Sequence, residues 1–131
     1  MTLPPGATIE ETEVPNPSAI AAPNYRAALK IDASVSTDVR QALEAQHKET
    51  IRILNADPLN FSIWVNLGML RKIAGDYRGA EEIWVYTSKQ WPTSPVSFHN
   101  LTDLYQNFLK EPAKAQAAAE KAAALEASAS Q

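Results

Sequence analysis

The sequence predicts an all-α fold of antiparallel helix pairs stacked in line, preceded by an extended strap. Three observations predict it. Pro58 and Pro92, Trp64 and Phe98, and Leu67 and Leu101 are each 34 residues apart, and self-similarity at one period marks a repeat architecture. Helix-stop and helix-start residues punctuate the chain between these landmarks. Period-two alternation occurs in one place, residues 25–36, so that segment has no second strand to join in a sheet.

The leader, residues 1–24, holds five of the nine prolines, and its apolar residues Leu3, Ile9, Val14 and Ile20 follow no helical or alternating spacing. Such a stretch cannot bury enough surface to offset its ordering entropy, which predicts a disordered, semi-extended acidic linker. It has neither the basic start nor the apolar run of a signal peptide. It is read as a tail or as a stalk to an anchor. Tyr25, Leu29, Ile31 and Val35 then occupy odd positions and Arg26, Lys30 and Asp32 even ones. That alternation predicts an extended, half-buried strap along the helices, or one that pairs with the strap of a second copy.

The helical domain, 25–131 including the strap, begins its first helix over 37–56. Thr37 or Asp38 serves as cap, and Val39, Leu43, Ile51 and Leu54 form part of an apolar stripe. Asp57-Pro58 ends it, because the residue before proline disfavours the α region. Helix pairs follow at about 60–74 with 77–90, and 95–109 with 112–127. Gly75 suits a left-handed helix end, Asp76 the next cap, and Ser94-Pro95 a capping hydroxyl before a first-turn proline. Helix 112–127 is mostly Ala, which favours helix but buries little.

Within these helices, Trp64, Leu67, Gly68, Gly75-Asp76-Tyr77, Ala80, Trp84 and Pro92 resemble a tetratricopeptide repeat, W-x2-L-G-x2-Y then A-x3-F then P, with Arg71 where tyrosine is usual. Phe98, Leu101, Tyr105, Ala115 and Ala119 resemble a second repeat, with Thr102 at the glycine position and an inter-helix turn, Leu109 to Pro112, one residue longer. The resemblance covers 59–126. It implies a short α-solenoid: repeat 1 over 59–94, repeat 2 over 95–128, and helix 37–56 as N-terminal cap. It also implies that Gly68 and Ala80 let two helices approach closely, with Trp64 and Trp84 in the core.

Charge excludes some function classes. The formal charge of −3 comes from 12 Lys plus Arg against 15 Asp plus Glu, and Glu10, Glu11 and Glu13 are the only charges before Arg26. The helical region is therefore balanced and lacks the basic face of a nucleic-acid binder. No apolar run is long enough to span a bilayer. Zero Cys removes disulfides, thiolate catalysis and Cys-rich zinc sites. Four glycines form no phosphate loop. His47 and His99 lie on different helices without a second ligand at metal spacing. His99 and Asp103, at i and i+4, can share a hydrogen bond, but no nucleophile is placed with them. Glu44, Glu81, Glu82, Glu120 and Glu126 read as helix-surface charges, and the sequons at Asn60 and Asn100 match glycosylation by letter only. The expectation is no enzyme, no catalytic residue, no cofactor and no metal. The sequence gives no compartment: a cytoplasmic chain and the exposed part of an anchored protein both fit.

The family resemblance implies a partner groove lined by the first helix of each repeat. Carried over, it consists of Ser62, Val65, Asn66, Met69, Lys72 and Ile73 from the first, and Val96, His99, Asn100, Asp103, Gln106 and Asn107 from the second. Asn66 and Asn100 repeat at 34, so their amides project as a ladder able to donate to and accept from a peptide main chain. Met69 adds an adaptable apolar contact, and Lys72 is the groove's cation. The carboxylate-clamp subtype of the family is disfavoured, since Val65 and Met69 stand where its basic residue and asparagine belong. The expected function is a noncatalytic scaffold that binds a protein or peptide. The alternative is a self-associating structural or spacer domain, a homodimer through the strap or the Ala-rich helix.

Overall fold

The structure, a computed structural model, describes residues 15–16 and 20–129. Among them are five helices and no strand: α1 (Thr37–Ala56), α2 (Phe61–Ile73), α3 (Tyr77–Gln90), α4 (Val96–Asp103), which runs on into a π turn (Leu104–Phe108), and α5 (Pro112–Ala129). Of the linker expected over 1–24, residues 1–14 and 17–19 lie outside the described residues, as does Ser130-Gln131; in the described part, Asn16 N–H donates to the Gln90 carbonyl and Ile20 packs against the core. Each helix packs on its sequence neighbour, α1 on α2 through to α4 on α5.

Short polar side chains start the helices. Ser36 Oγ accepts from Val39 N–H at 3.3 Å, so the residue before Thr37 caps α1, rather than Thr37 or Asp38. Asn60 Oδ1 caps α2 by accepting from Ile63 N–H at 3.2 Å, which gives this residue a structural task its sequon did not suggest. Asp76 Oδ1 caps α3 through Gly79 N–H at 3.0 Å. Each such cap contributes about 1 kcal/mol. Gly75, at φ 94°, makes the left-handed turn between α2 and α3.

The extra residue of the second helix pair lies in the last turn of α4, upstream of the turn where the sequence places it. Leu109 N–H donates to the Leu104 carbonyl five residues back at 2.9 Å, and Glu111 N–H to Tyr105 at 2.8 Å. Widening one helical turn inserts a residue without breaking the helix. Lys110, at φ 56°, then reverses the chain.

The core centres on α2 and α3. Trp64, Leu67, Ile83, Trp84, Trp91 and Leu104 are essentially inaccessible. Trp64 stacks obliquely on Tyr86 at 4.8 Å, and Phe61 meets Trp91 edge-on at 5.1 Å. Both buried indoles of the helix pair find acceptors, Trp64 at the Pro58 carbonyl (2.8 Å) and Trp84 at the Val65 carbonyl (3.1 Å). Gly68 faces the Trp84 indole: a Cβ there would lie 2.3 Å from Nε1. The missing side chain thus makes room for an aromatic ring rather than for Ala80.

Residues 20–36 are irregular. Turns at 25–27 and 33–35 interrupt the continuous alternation expected over 25–36. Leu29, Ile31 and Val35 still pack on Leu43, Leu70 and Ala74, while Ala27 and Ala33 are exposed.

Candidate functional site

An α-helix turns about 100° per residue, so Ser62, Asn66, Met69 and Ile73 fall within about 60° of one another on α2. Val96, Asn100 and Asp103 share a face of α4 for the same reason. One ion pair joins the two helices: Lys72, about 60–120° round α2 from Ser62, Asn66, Met69 and Ile73, meets Asp103 Oδ2 through Nζ at 2.7 Å. Asp103 Oδ1 accepts from Asn107 Nδ2 at 2.7 Å, and the Lys72 ammonium lies 4.5 Å over the Phe108 ring. The hydrogen bond from Lys72, then that from Asn107, holds the Asp103 carboxyl below its usual range. Lys72 is therefore a neutralised, half-buried cation joining two helices, not a bare charge awaiting a ligand.

The remaining candidates are distributed along this face. Ser62, Asn66, Ile73, Val96, His99, Gln106 and Asn107 are exposed; Val65, Met69 and Asn100 are half-buried. The side-chain amides of Asn66 and Asn100 make no hydrogen bond with the described residues, leaving donors and acceptors for a ligand. Ile73 and Phe108, each among the exposed large apolar residues, flank the Lys72–Asp103 pair in sequence or in contact. His99 bonds Glu126 of α5 at 3.1 Å, whereas Asp103 bonds Lys72 and Asn107. The i,i+4 pairing expected for His99 and Asp103 does not form, because each has a better-placed partner on another turn or helix.

Several residues read as surface charges are ties between helices. Glu81 is largely buried; it accepts from Tyr105 Oη at 2.8 Å and pairs with Arg78 at 3.0 Å. Burial and the Glu81 carboxylate together push the Tyr105 phenol well above its usual range. Arg78 also reaches Glu111 at 3.1 Å, joining α3 to the start of α5. Glu82 pairs with Arg71 at 2.7 Å.

Arg71 is the residue whose position sequence reasoning underused. It is buried on the opposite side of α2 from Asn66, and donates to the Gly79 carbonyl and to the Asn24 carbonyl, each at 3.2 Å. Its signal was the arginine standing where the repeat pattern has tyrosine. His47 is also buried, and its Nε2 has no hydrogen-bond partner among the described residues.

No group of His, Asp or Glu among the described residues is placed to hold a metal ion, and no helix among them is long and apolar enough to cross a membrane. No family model, curated protein or solved structure matches this chain.

Proposed function

We propose that the chain is a noncatalytic interaction module of the tetratricopeptide type, which holds an extended peptide or a subunit segment on the α2–α4 face. One observation carries the reading. Two helices whose landmarks recur at 34 residues are joined by the Lys72–Asp103 ion pair, and Asn66 and Asn100 are equivalent positions of that repeat. Amides read main-chain groups of a peptide in any sequence context, while Met69, Ile73 and Phe108 supply apolar contact.

A displayed library of extended peptides tests this. The wild-type chain enriches a peptide class, and Asn66→Ala with Asn100→Ala weakens its binding by about tenfold, the loss of two hydrogen-bonding groups at ~0.5–1.5 kcal/mol each. Helicity stays unchanged. A library that yields no ligand, or undiminished binding by the folded double variant, refutes the assignment.

A further inference from the structure

Residues 20–35 contact α1 and α2, reaching Trp64, Leu70 and Arg71 of the latter, and the contact has the character of peptide recognition. Helix side chains and carbonyls engage the segment's main chain. Arg71 holds the Asn24 carbonyl at 3.2 Å, the Ala74 carbonyl accepts from Asp32 N–H at 2.7 Å, and Arg40 reaches the Asp32 carbonyl at 3.3 Å. Side-chain contacts add selectivity. Tyr25 places its ring edge-on to Trp64 at 5.5 Å and donates to Asn55 Oδ1 at 2.7 Å. Arg26 donates to the same oxygen at 2.7 and 3.1 Å.

Two features separate this from ordinary core packing. A cleft of about 390 Å³ remains between the segment and the α2–α3 pair, lined in part by Ala27, Ala28, Leu29 and Arg71. His47 is only 7% exposed and leaves Nε2 buried without a partner. Residues 20–35 join α1 through one turn at 33–35; they are held by these main-chain bonds, by the packing of Ile20, Tyr25, Leu29, Ile31 and Val35, and by the upstream Asn16–Gln90 bond, so they leave together, as a unit.

We propose that the surface formed by α1, α2 and α3 is a peptide-binding channel in its own right, closed in each copy by residues 20–35 and opened by exchange of that segment with a second copy. The occupant is argued from complementarity already present: an aromatic–cation pair, Tyr25-Arg26, followed by Leu29 and Ile31 fits the channel residue by residue. Exchange needs no new contact, which makes it a low-cost route to a dimer. The inference is independent of the α2–α4 face.

Complementation between two full-length variants tests it. One has a disabled segment (Tyr25→Ala, Leu29→Ser, Ile31→Ser) and an intact channel. The other has a disabled channel (Asn55→Ala, Arg71→Met) and an intact segment. Each alone is expected to sediment as a monomer, and an equimolar mixture as a heterodimer. A fluorescent peptide of residues 20–35 is expected to bind the segment-disabled chain about tenfold or more tighter than wild type, where the tethered segment competes at roughly millimolar effective concentration. A scrambled peptide should not bind. A mixture of folded variants that stays monomeric overturns the proposal, as does a folded segment-disabled chain that ignores the peptide. Should either variant fail to fold, hydrogen exchange on the wild type decides. The Asp32 amide is expected to exchange about tenfold or more faster than the Leu67 and Ile83 amides; equal protection would make the segment part of the cooperative core and overturn exchange.

Discussion

Gly68→Ala is the sharpest perturbation of the helix pair, and Gly79→Ala is its control. At Gly68 the added carbon would lie 2.3, 2.6 and 2.7 Å from Nε1, Cε2 and Cδ1 of Trp84. Relief requires a shift of about 1 Å or more, and Trp84 is 1% exposed and bonded through Nε1 to Val65. Overpacking of this kind costs about 3 kcal/mol, a lost indole hydrogen bond adds ~1 kcal/mol, and better helix propensity returns ~1 kcal/mol. The net, about 3 kcal/mol, lowers Tm by roughly 12–24 °C for a domain of this size. At Gly79 the nominal clash is as close, 2.1 Å from Asp76 Oδ2, but that oxygen ends a half-buried side chain that can rotate away. Losing the Asp76 cap costs ~1 kcal/mol and alanine's propensity returns a similar amount, so the net is near zero. Thermal melts followed by far-UV circular dichroism read both. A Tm for Gly68→Ala within about 4 °C of wild type, or two equal shifts, would refute the assignment of Gly68 to the indole contact.

Other outcomes follow from the same contacts. Burial first, and Arg71 less, hold the His47 imidazole below its usual range, while the Tyr25 main chain works the other way. The unfolded chain therefore binds this proton at higher pH than the folded one. The His47 contribution is complete above about pH 6.5 and is lost as pH falls from there to the folded value. Equilibrium urea melts at pH 7.5 and 5.5 should show a drop in stability that His47→Gln reduces; equal pH dependence in both chains would exclude His47 as the cause. Breaking the Lys72–Asp103 tie with Lys72→Met should cost about 0.5–1 kcal/mol, because both groups keep some exposure, and a double-mutant cycle with Asp103→Asn would read the coupling. The shallow cleft beside Phe98, Leu101 and Tyr105, bordered by Ala117 and Ala118, is underfilled by alanine. Ala117→Leu should stabilise by about 1 kcal/mol, as cavity-filling changes commonly do, measured by urea unfolding.

Helix positions were legible because boundary chemistry is local. Asp57-Pro58, Gly75-Asp76 and Ser94-Pro95 mark ends whatever packs around them, and α1 and α3 run over Thr37–Ala56 and Tyr77–Gln90 as those residues predict. The caps were less legible: the α1 cap is Ser36 rather than its neighbours Thr37 or Asp38, since one oxygen three residues from an N–H is much like another until the backbone is placed, and Asn60 carried no expectation as a cap. The all-helical class was readable from the same signals. The candidate face rests on the family resemblance, periodicity adding only that Ser62, Asn66, Met69 and Ile73 share one side of α2, and neither indicates its charge partners. Lys72 with Asp103, His99 with Glu126 and Arg71 with Glu82 pair residues 31, 27 and 11 apart in sequence, and no local rule selects those partners over the i,i+4 neighbour. The alternation at 25–36 was real in Leu29, Ile31 and Val35 but overstated as continuous extension, because turns re-aim the chain where Ala27 and Ala33 carry too little surface to hold it down.

Arg71 and Lys72 are adjacent in sequence, and the helix turns them apart. Arg71 points into the side covered by residues 20–35 and holds the Asn24 carbonyl; Lys72 points toward α4 and holds Asp103. One turn of α2 thus holds residues 20–35 on one side and α4 on another, through polar anchors that do not share a partner. If the segment departs, Arg71 loses its Asn24 bond but keeps Glu82 and Gly79 on α3, so the guanidinium is not stranded and α2 keeps its seat. This arrangement lowers only the electrostatic part of that cost, since the cation that clasps the segment is already paired with a helix that stays behind; the packing of Tyr25, Leu29, Ile31 and Val35 is lost in full. A buried arginine whose only partners lay on the segment would lock it, because removing one side of a buried pair costs about 3–5 kcal/mol. Release of residues 20–35 should therefore leave the α2–α4 face intact, and peptide binding there should be unchanged in the segment-disabled chain.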